Sequence, residues 1–468
     1  MTSEQQYIEL YEQARQLICR NAPEVMNAVR DDAFSAFKAQ GFPSQKVEHY
    51  RYTDIQRLFA PDYGLNLKRL QIPADPYEVF SCDVPNLSTS LYFMVNDSLF
   101  SSEEREARSA KVHQASPKLP DGMVVDSMQH VFASPSPLAT RLAAYYARLA
   151  KPGEDAVTAL NTMLAQDGLV IYVPRNVKTD RAIQVINILK ATPGNALRQV
   201  PDLMVNRRVL IVLEEGAEVK LLFCDHAADD RNFLATQVVE AYVGENARLD
   251  LYCLEETHDK NVRLNNVYID QQTDSHVTYS EFTLQNGITR NQLRLTLSGQ
   301  GAQCNSYGCA IADKQQHVDN NTLITHRVPH GTSNQLYKYL FLDEATGAFA
   351  GRVLVEHNAQ KTVSQMTNRN LCTTPQARMY TQPMLEIYAD DVKCAHGSTV
   401  GQLDQAALFY MRQRGISEHE ARTLLQVAFI REVIDQVELQ PLRDRLHLLT
   451  EKRIRGQLDQ CDRCRLCK

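Results

Sequence analysis

The most chemically suggestive pair in the sequence is a cysteine followed two residues later by a histidine, Cys394 and His396. In a β-strand, residues two apart point to the same face of the sheet. A thiolate and an imidazole placed in this way could both bind iron, or the histidine could lower the pKa of the thiol. The alternative is that both are ordinary structural side chains. The preceding Asp390 and Asp391 fit turn or strand-end positions better than ligand positions.

A second group of cysteines, Cys461, Cys464 and Cys467, stands at the C-terminal end with the spacing C-x-x-C-x-x-C. Three thiolates could surround one metal ion or one edge of a cluster, but a closed tetrahedral site needs a fourth ligand. From Lys452 onwards the chain has six basic and two acidic residues, which favours the thiolate form. The sequence therefore leaves two alternatives for this tail, metal binding and an inert chain end.

The overall composition favours a cytoplasmic protein. The chain has 468 residues, with 50 basic and 56 acidic side chains, a balance that argues against nucleic acid as the main partner. No window approaches the length of a membrane span, and the first residues do not resemble a signal peptide. Eleven cysteines in a chain of this length do not indicate a disulfide framework. We expect most of them, such as Cys224 and Cys253, to be buried thiols.

Several enzyme classes are excluded by missing motifs. The sequence has no phosphate-binding loop of the Walker type, no complete dinucleotide fingerprint, no zincin motif and no nucleophile elbow. The motifs therefore favour a scaffold over an enzyme.

The elements that would position these residues fall into three regions. Residues 1–165 are predicted to be mainly helical, with helices over 3–41, near 138–150 and near 153–164. Residues 166–400 consist of short β-rich runs separated by turns, and residues 401–468 return to helix. In the last region, a helix over 404–414 should end at Gly415.

The β-rich region contains a faint repeat, in which each unit has a turn followed by a small residue. The proposed repeat positions are separated by 30, 28, 27, 30 and 27 residues, and they are Ala217, Ala247, Ser275, Ala302, Thr332 and Ala359. A period of this size in strand-rich sequence indicates stacked coils. It favours a right-handed parallel β-helix over a sandwich, whose turns would recur every 8–12 residues.

Three segments resemble the SufB/SufD family of iron–sulfur cluster assembly proteins, in the family's order. The first, residues 48–53, is similar to an "ExWKYT" run, although Tyr50 stands where tryptophan is usual. The second covers 326–338 and 347–351, and the third runs from 383 to 425 through Cys394-Ala-His396. Within the family, the sequence from Leu385 to Gly397 is most similar to SufD.

The resemblance implies a parallel β-helix with helical regions at both ends, acting as a non-catalytic subunit. It implies a complex with SufB and the ATPase SufC, and a transient iron–sulfur cluster at the SufB–SufD interface that this chain does not hold stably alone. His396, with Cys394 as a partner, would lie at that interface. The C-terminal helices around Leu408, Leu424 and Leu425 would dock SufC, although a simple packing role explains much of their apolar stripe. In the absence of SufB, an exposed edge could also pair two copies of the chain.

Two other functions remain as alternatives. A β-helical enzyme acting on polysaccharide would usually carry an export signal, which this sequence does not show. A self-contained scaffold of the SufB type would hold a cluster without a partner.

Overall fold

The structure, a computed structural model, describes residues 3–70, 72, 89–100, 119–191, 202–228 and 231–457. Helices occur at both ends of this chain. Those of the N-terminal region are α1 (Ser3–Arg20), α2 (Glu24–Asn27), α3 (Arg30–Gln40), α4 (Ile55–Leu58), α5 (Met128–Val131), α6 (Pro137–Ala143) and α7 (Ala156–Leu164). Those of the C-terminal region are α8 (Gln405–Gln413), α9 (Glu418–Ile434) and α10 (Gln440–Ile454). In the part of the chain described, no helix is long and apolar enough to cross a membrane.

The middle of the chain forms a parallel β-helix of about seven turns, which confirms the predicted fold class. From β4 onwards, successive strands alternate between two sheets, so that each coil of the β-helix adds one strand to each sheet. The ten-stranded sheet contains β1 (Thr89–Val95), β2 (Ser98–Leu99), β5 (Ala182–Leu189), β7 (Glu218–Ala227), β9 (Arg248–Glu256), β11 (His276–Gln285), β13 (Gln303–Ala312), β15 (Thr332–Phe341), β17 (Val363–Cys372) and β19 (Lys393–Gly401). The nine-stranded sheet contains β3 (Val124–Ser127), β4 (Leu169–Val173), β6 (Leu203–Leu213), β8 (Phe233–Val243), β10 (Val262–Gln271), β12 (Ile288–Leu297), β14 (His317–His326), β16 (Thr346–Val355) and β18 (Arg378–Ile387).

The repeat predicted from the sequence has the correct register in its first four positions. The residues that follow Ala217, Ala247, Ser275 and Ala302 pair with one another in successive strands, and these four small residues are fully buried. The last two positions were wrong. Thr332 is exposed, and the buried small residue of this coil is the one before it, Gly331. In the next coil the equivalent buried residue is Thr362 and not Ala359.

Apolar side chains fill the inside of the coils and also attach the helices to the outside. Val209, Ile211 and Leu251 belong to the internal core of the first coils, and Phe349 and Met366 to that of the last ones. The predicted burial of the thiols of Cys224 and Cys253 is confirmed. The two helical regions therefore only have to cover the outer faces of the sheets.

The N-terminal and C-terminal helices cover different sheets. Leu160 and Met163 of α7 pack with Met204, Leu234 and Leu264 on the outer face of the nine-stranded sheet. On the other side, α9 and α10 pack on the outer face of the ten-stranded sheet, through a cluster that includes Ile430, Val433, Leu442, Leu446, Tyr252, Phe282 and Tyr307. Among the described residues, this packing leaves the last coil of the β-helix as a free end.

The N-terminal region differs from the prediction in three details. A helix expected near 138–150 ends at Ala143, and turns follow it. The segment after Pro23 forms two helices, α2 and α3, instead of one. The region also contributes β1, β2 and β3, of which β1 pairs with β5 and β3 with β4.

Candidate functional site

The free end of the β-helix is formed by β18 and β19, the last strands of the two sheets. Each pairs on one side only, with β16 and β17 respectively, within the residues that the structure describes. Large apolar side chains are exposed there, and they are Val363, Tyr380, Ile387, Tyr388 and Val400. An unpaired strand edge with exposed apolar groups is a surface on which another chain can pair.

Cys394 and His396 both lie on β19, at this free end. Their partners in β17 are Ser364 and Met366, two buried residues whose side chains face the inside of the coil. Cys394 is partly buried and packs against the core of the last coils, whereas His396 is exposed. The same face of one strand thus carries a half-covered thiol and an accessible imidazole.

The thiol of Cys394 is not activated by its surroundings. Partial burial raises its pKa, because the thiolate is less well solvated there, and a hydrogen bond with the Ser364 backbone opposes this only in part. The sequence had left open that His396 lowers the pKa of this thiol; in the structure, burial has the largest effect on this pKa and raises it.

Within the residues that the structure describes, the two side chains do not form a closed metal site. In the described ranges, no group of three or more His, Cys, Asp or Glu residues is placed to hold a metal ion. Asp391 is engaged elsewhere, because its carboxylate pairs with Lys361 and its backbone N–H donates to Gln360 Oε1 at 2.9 Å. The predicted metal ligands Cys461, Cys464 and Cys467 lie outside the described residues.

The C-terminal helices follow directly after β19. Asp404 caps α8 by accepting hydrogen bonds from the backbone N–H groups of Ala406 and Ala407, at 2.8 and 3.3 Å. As predicted, the segment ends at Gly415, whose φ of +85° favours glycine. The strand with the Cys-His pair and the helices therefore form one continuous stretch of chain.

The predicted docking residues differ in exposure. Leu408 is buried, so it packs α8 in place and cannot itself contact a partner. Leu424 is 39% exposed and Leu425 is partly buried. The most exposed apolar side chains of α8 are Phe409 and Tyr410, at 60% and 58%. These two residues were not predicted from the sequence, although an inward Leu408 implies that the residues beside it on the helix face outwards.

Residues 48–53 have a larger structural role than a simple connector. The guanidinium of Arg290 lies 4.0 Å from the centre of the Tyr50 ring, and the Tyr50 hydroxyl bonds to Asp155. Tyr52 stacks on Tyr380 of β18, with ring centres 5.0 Å apart. This loop therefore fastens the N-terminal region to the side of the β-helix and reaches its free end.

Comparisons with known proteins agree with this architecture. The family model described as the SUF system FeS cluster assembly, SufBD core domain, matches residues 196–429, and that of the SufBD protein N-terminal region matches residues 1–185.

Individual relatives show the same similarity. An iron–sulfur cluster assembly SufBD family protein of Synechocystis is 30% identical over 67% of each chain. Protein ABCI7, chloroplastic, of Arabidopsis thaliana is 25% identical over 90% of this chain and 84% of its own. The iron–sulfur cluster assembly protein SufD of Escherichia coli is 28% identical over 64% of this chain and 69% of its own. With both family models matched across most of its length, the chain belongs to the SufBD family of the SUF iron–sulfur cluster assembly system.

Proposed function

We propose that this chain is a SufD-like, non-catalytic scaffold subunit, which pairs with SufB at the free end of its β-helix. The observation that carries this proposal is the placement of His396, which is exposed on an edge strand paired on one side only. Cys394 and His396 supply at most two donors on that strand, and iron–sulfur clusters need more ligands than two. A second chain paired at the edge would supply the missing ones, so the cluster would form between the subunits.

In this proposal, His396 is a ligand or a proton acceptor for the nascent cluster. An exposed imidazole can take either role without first losing a core contact. Cys394 is the less favoured ligand of the two, because burial raises the pKa of its thiol and disfavours the thiolate that binds iron. The iron and sulfide are cargo that leaves the interface once the cluster is complete.

The C-terminal helices are the proposed docking surface for the ATPase SufC. The carrying observation is the pair Phe409 and Tyr410, which present large apolar groups to solvent on α8. Because α8 follows β19 after a few residues, movement of a protein bound to this helix would act close to the edge strand.

The proposal places the chain in the cytoplasm. All seven cysteines within the described ranges are free thiols, and free thiols persist in a reducing compartment.

The test is co-expression of the tagged chain with SufB and SufC, followed by anaerobic reconstitution with ferrous iron and sulfide. We expect the three proteins to copurify, and the complex to gain iron and acid-labile sulfide while the isolated chain does not. A stable cluster on the isolated chain would instead identify a self-contained scaffold of the SufB type. Failure to copurify with either protein would contradict the proposal.

A further inference from the structure

Three polar side chains from three strands meet inside the last coil of the β-helix. Asn368 lies on β17, Thr381 on β18 and Ser398 on β19. Asn368 Oδ1 is 3.0 Å from Thr381 Oγ1 and 3.2 Å from Ser398 Oγ, and the two hydroxyl oxygens are 2.5 Å apart. We call this group the Asn368 clasp.

The hydrogen bonds of the clasp depend on one another. Only two hydroxyl protons are available for the three short oxygen–oxygen contacts. One hydroxyl group therefore donates to Asn368 Oδ1, and the other hydroxyl group donates to the oxygen of that first hydroxyl. The neighbouring Asn370 Nδ2 also donates to Asn368 Oδ1, at 2.6 Å, and to the carbonyl of Thr399 at 2.9 Å. The clasp therefore joins both edge strands to the preceding coil, and β19 is held through Ser398 and through the Thr399 carbonyl.

Burial of these amides indicates a role beyond filling space. Asn368 is fully buried and Asn370 is 2% exposed, beside a core of aromatic and aliphatic side chains. Burying polar groups costs free energy unless each is hydrogen-bonded, and aliphatic residues would fill the same volume without that cost. A satisfied polar group, however, admits few alternative arrangements of the strands around it.

The clasp lies next to the His396 position. His396 pairs with Met366, and Ser398, the next residue on the same face of β19, pairs with Asn368. A shift of β19 by one residue would turn His396 to the opposite face of the sheet. Within the described residues, no strand pairs with the free edge of β19. Its register must therefore be held by contacts with the strands that precede it.

We propose that Asn368, Thr381 and Ser398 are positioning residues, which fix the register and spacing of the two edge strands so that His396 meets the incoming cluster atoms. This inference rests on the proposed function of the free end. Functional groups of this kind must be held to within a fraction of an ångström, and a displacement of about 1 Å can lower a rate by about a hundredfold.

The test compares Thr381→Val with Thr381→Ser in the complex with SufB and SufC. Valine keeps the volume of threonine and removes its hydroxyl, whereas serine keeps the hydroxyl. We expect Thr381→Val to lower iron and sulfide loading about tenfold without loss of SufB binding, and Thr381→Ser to load normally. Hydrogen exchange of the β19 amides in the isolated chain should accelerate in the valine variant only, while exchange in α9 and α10 stays unchanged. If Thr381→Val does not fold, Ser398→Ala is measured with the same expectations.

A His396→Ala variant measured alongside separates failure of the positioning role from failure of the proposed function. If His396→Ala fails to load and Thr381→Val loads like the unmodified chain, the positioning role is wrong and the proposed function stands. If His396→Ala loads normally, both are wrong. Equal loss in the serine and valine variants would show that packing of the methyl group, and not the hydroxyl, matters at this position.

Discussion

At the scale of single residues, the inside of the β-helix contains carboxyl groups as well as apolar side chains. Glu255 and Glu281 are buried on adjacent strands, β9 and β11, and burial raises the pKa of each to about 7. Glu281 accepts a hydrogen bond from the Tyr279 hydroxyl at 2.8 Å. The folded chain therefore binds a proton at these positions more tightly than the unfolded chain does, which makes the stability of the fold depend on pH.

We predict that Glu281→Gln stabilises the chain in alkaline solution. Because the folded pKa is raised, the contribution of Glu281 is most favourable below the ordinary glutamate pKa and is lost as the pH rises towards about 7. The amide keeps an acceptor for Tyr279 and cannot ionise. The free energy of unfolding of the variant, measured with urea, should exceed that of the unmodified chain by on the order of 2 kcal/mol near pH 8, and not near pH 4.

Glu245→Gln, at an exposed position, is the control for the loss of one charge. An equal gain at both pH values, or the same gain in the control, would contradict the proposed cause.

At the scale of elements, α8 presents two kinds of apolar residue side by side. Leu408 is buried, whereas Phe409 and Tyr410 face solvent. Truncating Leu408 should affect folding, whereas truncating Phe409 and Tyr410 should affect binding.

We predict that Leu408→Ala lowers the free energy of unfolding by about 2–5 kcal/mol, as expected for a cavity in a packed site. The double variant Phe409→Ala with Tyr410→Ala should change it by less than about 1 kcal/mol, because both side chains are largely in water already. The double variant should instead weaken SufC binding, measured by titration calorimetry, at least about tenfold.

Leu70→Ala is a matched control, since Leu70 is an exposed apolar residue of the N-terminal region, outside the C-terminal helices. Unchanged SufC affinity in the double variant would show that SufC does not bind through these residues of α8.

Much of this element structure can be predicted from the sequence, because it depends on local patterns. The β-rich runs of 166–400, the end of α8 at Gly415 and the proline in the first turn of α10 all follow from turn and capping preferences. The repeat failed at Thr332 and Ala359 because the coil length is not constant. Paired positions are 27 residues apart in the coil before them and then 29 and 31 residues apart, whereas the predicted steps were 30 and 27.

Features that depend on pairing between distant residues were not predicted. Strand β1 joins the sheet only by pairing with β5, from Thr89↔Ala182 onwards, and nothing near β1 in the chain indicates this. The three members of the Asn368 clasp are likewise brought together only by the stacking of the coils. The exposure of His396 was implied by the family resemblance, whereas the raised pKa of Cys394 depends on burial that a sequence does not reveal.

At the scale of the whole molecule, the last coil of the β-helix is a free end that none of the described helices covers. The N-terminal helices lie on one sheet and the C-terminal helices on the other, so both groups of helices cover the sides of the β-helix. The exposed apolar residues of β18, β19 and the turn between them are then available for a second chain.

We predict that charges at this end prevent association without unfolding the chain. Tyr388→Asp combined with Val400→Asp should abolish copurification with SufB, because each carboxylate would have to be buried without a partner. If the isolated chain pairs with itself through the same edge, light scattering should show the variant as a monomer. Leu448→Asp is the control, and retained SufB binding in the double variant would place the interface elsewhere.

The most direct test of the central claim is the iron and acid-labile sulfide content of the complex of His396→Ala with SufB and SufC, purified without air. We expect an intact three-protein complex with almost no iron or sulfide, because the exposed imidazole supplies a ligand or accepts a proton at the interface. Thr399→Ala, another exposed position on β19, is the control and should load normally. Normal iron and sulfide in the His396→Ala complex would contradict the role of His396 in cluster formation.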